Sequence, residues 1–141
     1  MKRILYFALF TLLFTSCQND NDDYPDFHFA VLPIEEATIP SSFELGETYE
    51  ITLKYSLPNS CHSFYSLYYK YDEANRIVAI NSFVDDESEC TEALISKEYS
   101  FDVKVTQEED YVFKLWKGVD DDDEDIFEEI TVPVTDPNDP Q

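Results

Sequence analysis

Six consecutive carboxylates, Asp120-Asp121-Asp122-Asp123-Glu124-Asp125, form the densest cluster of reactive groups in the chain. Hard oxygen donors suit Ca²⁺, which takes about six to eight of them. A calcium loop spaces its Asp and Asn ligands, turns on a glycine and closes with a distant Glu, whereas this run contains no glycine. Asp120, Asp121, Asp122, Asp123 and Asp125 therefore either gather a Ca²⁺ ion or form a solvated hairpin loop that keeps like-charged sheet edges apart. Asp85-Asp86-Glu87 with Glu89 allows the same two readings. No other cofactor is expected.

Stacking is the second chemistry on offer. Trp116 shares its alternation with Val112 and Lys114, and Phe64 and Tyr68 share theirs with His62, Ser66 and Lys70. Period-two spacing lets adjacent strands bring Trp116, Tyr68 and Phe64 to one face. Exposed, those rings stack on sugars or anchor a protein; buried, they are core. Catalysis has less to work with. The two histidines, His28 and His62, are far apart in sequence, no Ser sits in a nucleophile elbow, and Gly-rich phosphate loops are missing. The expectation is a protein that is not an enzyme.

The first residues carry an address. Lys2 and Arg3 precede an apolar run of 11 residues, Ile4 to Phe14, then Thr15-Ser16-Cys17. The run is too short for the ~20-residue helix that spans a bilayer and fits an export leader. Leu12-Leu13-Phe14-Thr15-Ser16-Cys17 resembles a lipobox, with Phe14 where Leu is usual. That resemblance implies cleavage before Cys17 and acylation of its thiol. Each acyl CH₂ adds ~0.8 kcal/mol of membrane affinity, so two or more chains hold the domain stably. Gln18-Asn19-Asp20-Asn21-Asp22-Asp23 is similar to the acidic surface-export tag of Bacteroidota lipoproteins. It implies a lipid anchor in the outer membrane and exposure to the medium. The reading is residues 1–16 as lipoprotein signal peptide, 17–26 as acidic flexible tether, 27–134 as folded domain and 135–141 as disordered tail.

Charge narrows the partners. Loss of Lys2 and Arg3 with the leader takes the formal charge from −22 to −24. Such a domain stays soluble and monomeric and repels polyanions. It has no basic cluster to neutralise phosphates, which excludes nucleic acid. A protein or glycan partner remains. The 11 Phe, 10 Tyr and one Trp supply a core despite the charge. With Cys17 assigned to lipid, Cys61 and Cys90 are the pair left for a disulfide in an oxidising compartment; two free thiols are the alternative.

The elements that must position these groups are strands. Tyr49, Ile51, Leu53, Tyr55 and Leu57 alternate with Glu50, Thr52, Lys54 and Ser56. Tyr99, Phe101, Val103 and Val105 alternate in the same way. Cys61 to Tyr71, a turn at Asp72 to Asn75, and Arg76 to Val84 read as a hairpin. It would place Cys61 close to Cys90. Phe27 to Leu32, bounded by Pro25 and Pro33, suits an edge strand. Tyr111 to Trp116 and Ile126 to Val134 complete an all-β antiparallel sandwich of about seven strands. The layout resembles an immunoglobulin or fibronectin type III domain. Tyr111 in Asp110-Tyr111-Val112-Phe113 stands where that resemblance implies a corner tyrosine. Leu53 and Phe113 would replace the usual inter-sheet cysteines.

Overall fold

The computed structural model of the protein describes residues 25–137, and its regular elements are all β-strands. In chain order they are β1 (Phe27–Leu32), β2 (Ile34–Thr38), β3 (Phe43–Glu44), β4 (Thr48–Leu57), β5 (His62–Asp72), β6 (Asn75–Asp85), β7 (Ile95–Lys104), β8 (Tyr111–Val119), β9 (Asp125–Val132) and β10 (Val134–Thr135). Strands β2 and β3 add to the expected set, and the expected strand from Ile126 to Val134 is divided at Pro133, which has no N–H for a ladder, into β9 and β10. Through β10 the sheet structure reaches Thr135, one residue past the predicted domain end. The leader, Cys17 and most of the acidic tether lie outside the described residues.

Two layers enclose one core. β2, β4 and β7 form an antiparallel sheet in that order. β1, β5, β6, β8 and β9 form the second sheet, and β3 with β10 makes a separate pair. Ile51, Leu53 and Tyr55 from one layer meet Val78, Ile80 and Phe113 from the other in a single buried cluster. Each fully buried side chain of this kind contributes roughly 1.5–3 kcal/mol. Leu53 and Phe113 both lie in it, where the sequence places them.

Tyr111 is the expected corner. Its ring is buried and its hydroxyl accepts a hydrogen bond from the Thr106 backbone N–H at 3.1 Å. Arg76, also buried, lies over the Tyr111 and Tyr71 rings, 4.7 and 4.5 Å from their centroids. Its Nη1 donates to the carbonyls of Glu73 and Asn75 at 2.8 Å, and its Nη2 donates to Gln107.

Two pairings depart from an antiparallel layout. β6 runs parallel to β8, from Asn75↔Val112 to Val78↔Leu115, and β10 runs parallel to β3. The first follows from connectivity. β7 lies between β6 and β8 in the chain but belongs to the opposite sheet, so the chain crosses over and β8 returns in the direction of β6. Strand order changes as well. In the immunoglobulin order the first strand of this hairpin would lie against the penultimate strand; here its second strand, β6, takes that place and β5 sits at the edge.

The hairpin is locked at its open end. Cys61 and Cys90 form a disulfide with a Cα–Cα distance of 5.4 Å. Asn59 prepares the strand start: its Oδ1 accepts from the Cys61 N–H at 3.0 Å.

Candidate functional site

One edge of β6 is taken by β5 along the whole hairpin, from Asp72↔Asn75 to His62↔Val84. The other edge is divided end to end. β8 pairs with Asn75 to Val78, and β1 pairs with Ile80 to Asp85. Ala79 falls at the join. Its small side chain lines a groove of about 450 Å³ on the outward face of the five-stranded sheet. Tyr68 and Lys70 border it on the β5 side, Val31 and Asn81 at the β1 end, and Trp116 and Phe127 on the β8–β9 side.

A bulge aims Trp116. The β8–β9 register shifts between Trp116 and Gly118, and Gly118 has φ 121°, a conformation that residues with a Cβ rarely adopt. Trp116 Nε1 donates to Asp125 Oδ1 at 2.8 Å. That bond satisfies the indole N–H and fixes the ring beside the groove.

A second bulge corrects the expected aromatic face. The β5–β6 register shifts between Phe64 and Ser66, leaving Tyr65 as the extra residue. Tyr68 pairs with Ala79 and stays outward, with Trp116. Phe64 pairs with the buried Ser82, on the opposite face. It stacks on Tyr99 of the facing sheet at 4.6 Å between centroids and approaches Tyr55 at 6.4 Å. Phe64 is therefore no part of the groove.

The same bulge assembles a ring cluster that alternation did not reveal. Phe29 lies 4.6 Å from Tyr65 and 6.1 Å from Phe83, and Phe27 lies 5.1 Å from Phe83. Phe27, Phe29 and Tyr65 remain 45%, 54% and 59% exposed. The cluster and the groove share the outward face of one sheet, with Val31 between them on β1.

The acidic loop is organised by its own backbone. Asp120 Oδ1 accepts from the N–H groups of Asp122 and Glu124 at 2.9 and 3.0 Å, and Asp123 takes φ 62°. Asp125 holds Trp116. Among the described residues no three carboxylate, His or Cys side chains converge to hold a metal ion, so Asp120, Asp121, Asp122, Asp123 and Asp125 do not form a preassembled Ca²⁺ cage. Asp85, in the second acidic loop, is likewise used locally: the Ser88 hydroxyl and the Glu87 amide donate to it at 2.6 and 3.0 Å, which holds its carboxyl below the ordinary carboxylate range.

Sequence distance concealed one relation. His28 and His62 flank Val84 from its two neighbouring strands, roughly 10 Å apart at the backbone. His28 Nδ1 lies 2.7 Å from Asp86 Oδ2, and His62 Nδ1 lies 2.7 Å from Asn59 Oδ1. Neither histidine lines the Ala79 groove.

The family model of the ORF11 beta-sandwich domain matches residues 51–133, more than half of the chain. The chain belongs to that family. The match runs from within β4 to just past β9, so β5, β6, β8 and β9, which carry most of the groove, lie inside the ORF11 beta-sandwich domain. β1, which supplies Val31 and half of the ring cluster, precedes it. No curated protein and no solved structure matches the chain.

Proposed function

We propose that this ORF11 beta-sandwich protein is a non-catalytic binding module of the cell envelope. Cys17 carries its lipid anchor in the outer membrane, the acidic segment after Cys17 sets it on the outside, and the outward face of the five-stranded sheet makes contact. The observation that carries the reading is the exposure of Phe27, Phe29 and Tyr65 together on a chain of net charge −22. Clustered rings on so acidic a surface mark an interaction site, because scattered exposed apolar residues are ordinary and contiguous ones are not. A protein partner fits the ring cluster, whose rings offer rigid contact area. A glycan partner is favoured by a separate observation, the groove with Trp116 and Tyr68 on its rim.

In-cell photo-crosslinking tests the contact face. A photoreactive residue at Phe29 should give covalent adducts, and one at Thr52 on the opposite sheet should give none. Equal adducts from both positions, or none from Phe29, would refute the assignment. Metabolic palmitate labelling tests the anchor: Cys17→Ala should abolish labelling, and unchanged labelling would refute it.

A further inference from the structure

The groove at Ala79 admits a more specific reading, which rests on the proposal that its face is the binding face. Its volume, about 450 Å³, falls within the roughly 300–1,000 Å³ of small-ligand sites. Its lining is mixed in a way that a purely apolar ligand would waste. Ala79 and Tyr68 are neighbours across the β5–β6 ladder, and the β6–β8 register, continued one residue past Val78↔Leu115, sets Trp116 opposite Ala79. A small floor thus lies between two rings. Polar groups stand around it. Asn81 gives an amide hydrogen to Ser66 Oγ at 3.1 Å and keeps its carbonyl oxygen as an acceptor.

Lys70 supplies the independent observation. Among the described residues, Lys54, Lys114 and Lys117 are ion-paired and Lys104 donates to the Gly46 carbonyl, while Lys97, on β7 of the other sheet, makes no such contact and does not line the groove. Lys70 makes neither kind of contact and borders the groove, so its three donors are open to a ligand. The net charge of −22 decides what that ligand is not, since long-range repulsion disfavours polyanions such as nucleic acid or polyuronate.

We infer that the groove binds a short neutral oligosaccharide. One sugar ring lies over Ala79 with its C–H faces against Tyr68 and Trp116, and its hydroxyls meet Lys70 and Asn81. A sugar has apolar faces and polar edges, which is the pattern of this lining. Asp125 presets the indole before binding, so little ordering remains to oppose association.

The test uses the whole chain, with Trp116 fluorescence and thermal shift read against cello-, xylo-, manno- and malto-oligosaccharides. At least one should change Trp116 emission and saturate at millimolar concentration. Tyr68→Ala, at an exposed ring, should weaken that binding roughly tenfold, the loss of about 1.4 kcal/mol of stacking. Ala79→Leu should abolish it by filling the floor, and Thr52→Ala should leave it unchanged. Should Ala79→Leu fail to fold, the Tyr68→Ala result decides. Silence with every neutral oligosaccharide, binding indifferent to Tyr68→Ala, or tighter binding of oligogalacturonate would overturn the inference. If Phe29 crosslinks in cells while no oligosaccharide binds, the saccharide assignment falls and the contact face stands; if neither occurs, both fall.

Discussion

The two sheets share a core and turn opposite surfaces outward. From β4 and β7, Thr52 and Ser100 face each other with their hydroxyl oxygens 2.7 Å apart, and Lys54 reaches Glu36 at 3.5 Å. That face is polar and open to water. The five-stranded sheet instead presents Phe27, Phe29 and Tyr65 beside the groove and Tyr68 on its rim, all exposed. Inward, both sheets follow the same alternation. Outward they differ because solvation is sufficient for one face, whereas the other keeps apolar area that no element of the described chain covers.

Opening the disulfide should break this comparison most strongly, because Cys61 sits one residue before β5 and its bond to Cys90 closes the open end of the β5–β6 hairpin. The closed loop spans a sequence separation of 29 residues. Cys61→Ser with Cys90→Ser should therefore destabilise the fold by about 3–4 kcal/mol in the chain-entropy model. Hydrogen exchange should quicken in β5 and β6 more than in β4 and β7, and uniform quickening would erase the distinction between the sheets.

Next in size is the corner. Tyr111→Phe strips the Thr106 amide of its partner, and denaturant titration should record a loss of about 1–2 kcal/mol felt by both layers. Smaller still is the contrast between the surfaces themselves. Phe29→Ser with Tyr65→Ser should remove less than about 1.5 kcal/mol of ring packing yet sharply reduce binding of a hydrophobic dye. Thr52→Val with Ser100→Val should stay within about 0.5 kcal/mol and leave dye binding as high as in the unchanged protein; dye binding equal on both variants would refute the asymmetry.

The smallest effects are read against pH. Burial pushes the Tyr69 hydroxyl up to about 12, with the Arg76 charge pulling the other way. The folded state thus holds that proton beyond the unfolded value of about 10. The associated stability is complete below pH ~10 and fades as pH rises toward 12, and Tyr69→Phe should flatten that alkaline fall. Asp85 has the opposite sign. Its depressed folded pKa contributes stability above the unfolded value, lost as pH falls through the folded one. Asp85→Asn should make melting slightly less acid-sensitive.

Much of this was legible in the residues. The alternation from Tyr49 to Leu57 marks β4 and its inward face, the Cys61 to Cys90 spacing fits the hairpin, and Tyr111 foretells its own hydrogen bond to Thr106. The binding face was less legible. Phe64 to Tyr69 carries rings on both parities, so a one-residue bulge at Tyr65 leaves no mark in the pattern yet moves Phe64 to the other side. The groove depends on two strands meeting on one edge of β6, a long-range arrangement that no local pattern encodes. Alternation groups Trp116 with Tyr68, which the groove keeps, and with Phe64, which it does not; Ala79, the residue between Trp116 and Tyr68, has no side-chain chemistry to draw attention.

The shared edge of β6 also has a mechanical meaning. β1 passes into β2 through the single residue Pro33, which moves the chain from one sheet to the other. β1 is also the first strand that a pull from the N-terminal side would load. Its rungs would open from Phe27↔Asp85 toward Leu32↔Ile80, and Phe27, Phe29 and Val31 would leave the sheet surface in that order. The contact area of this face is thus in series with tension on the chain, like a fuse placed between a tether and its load.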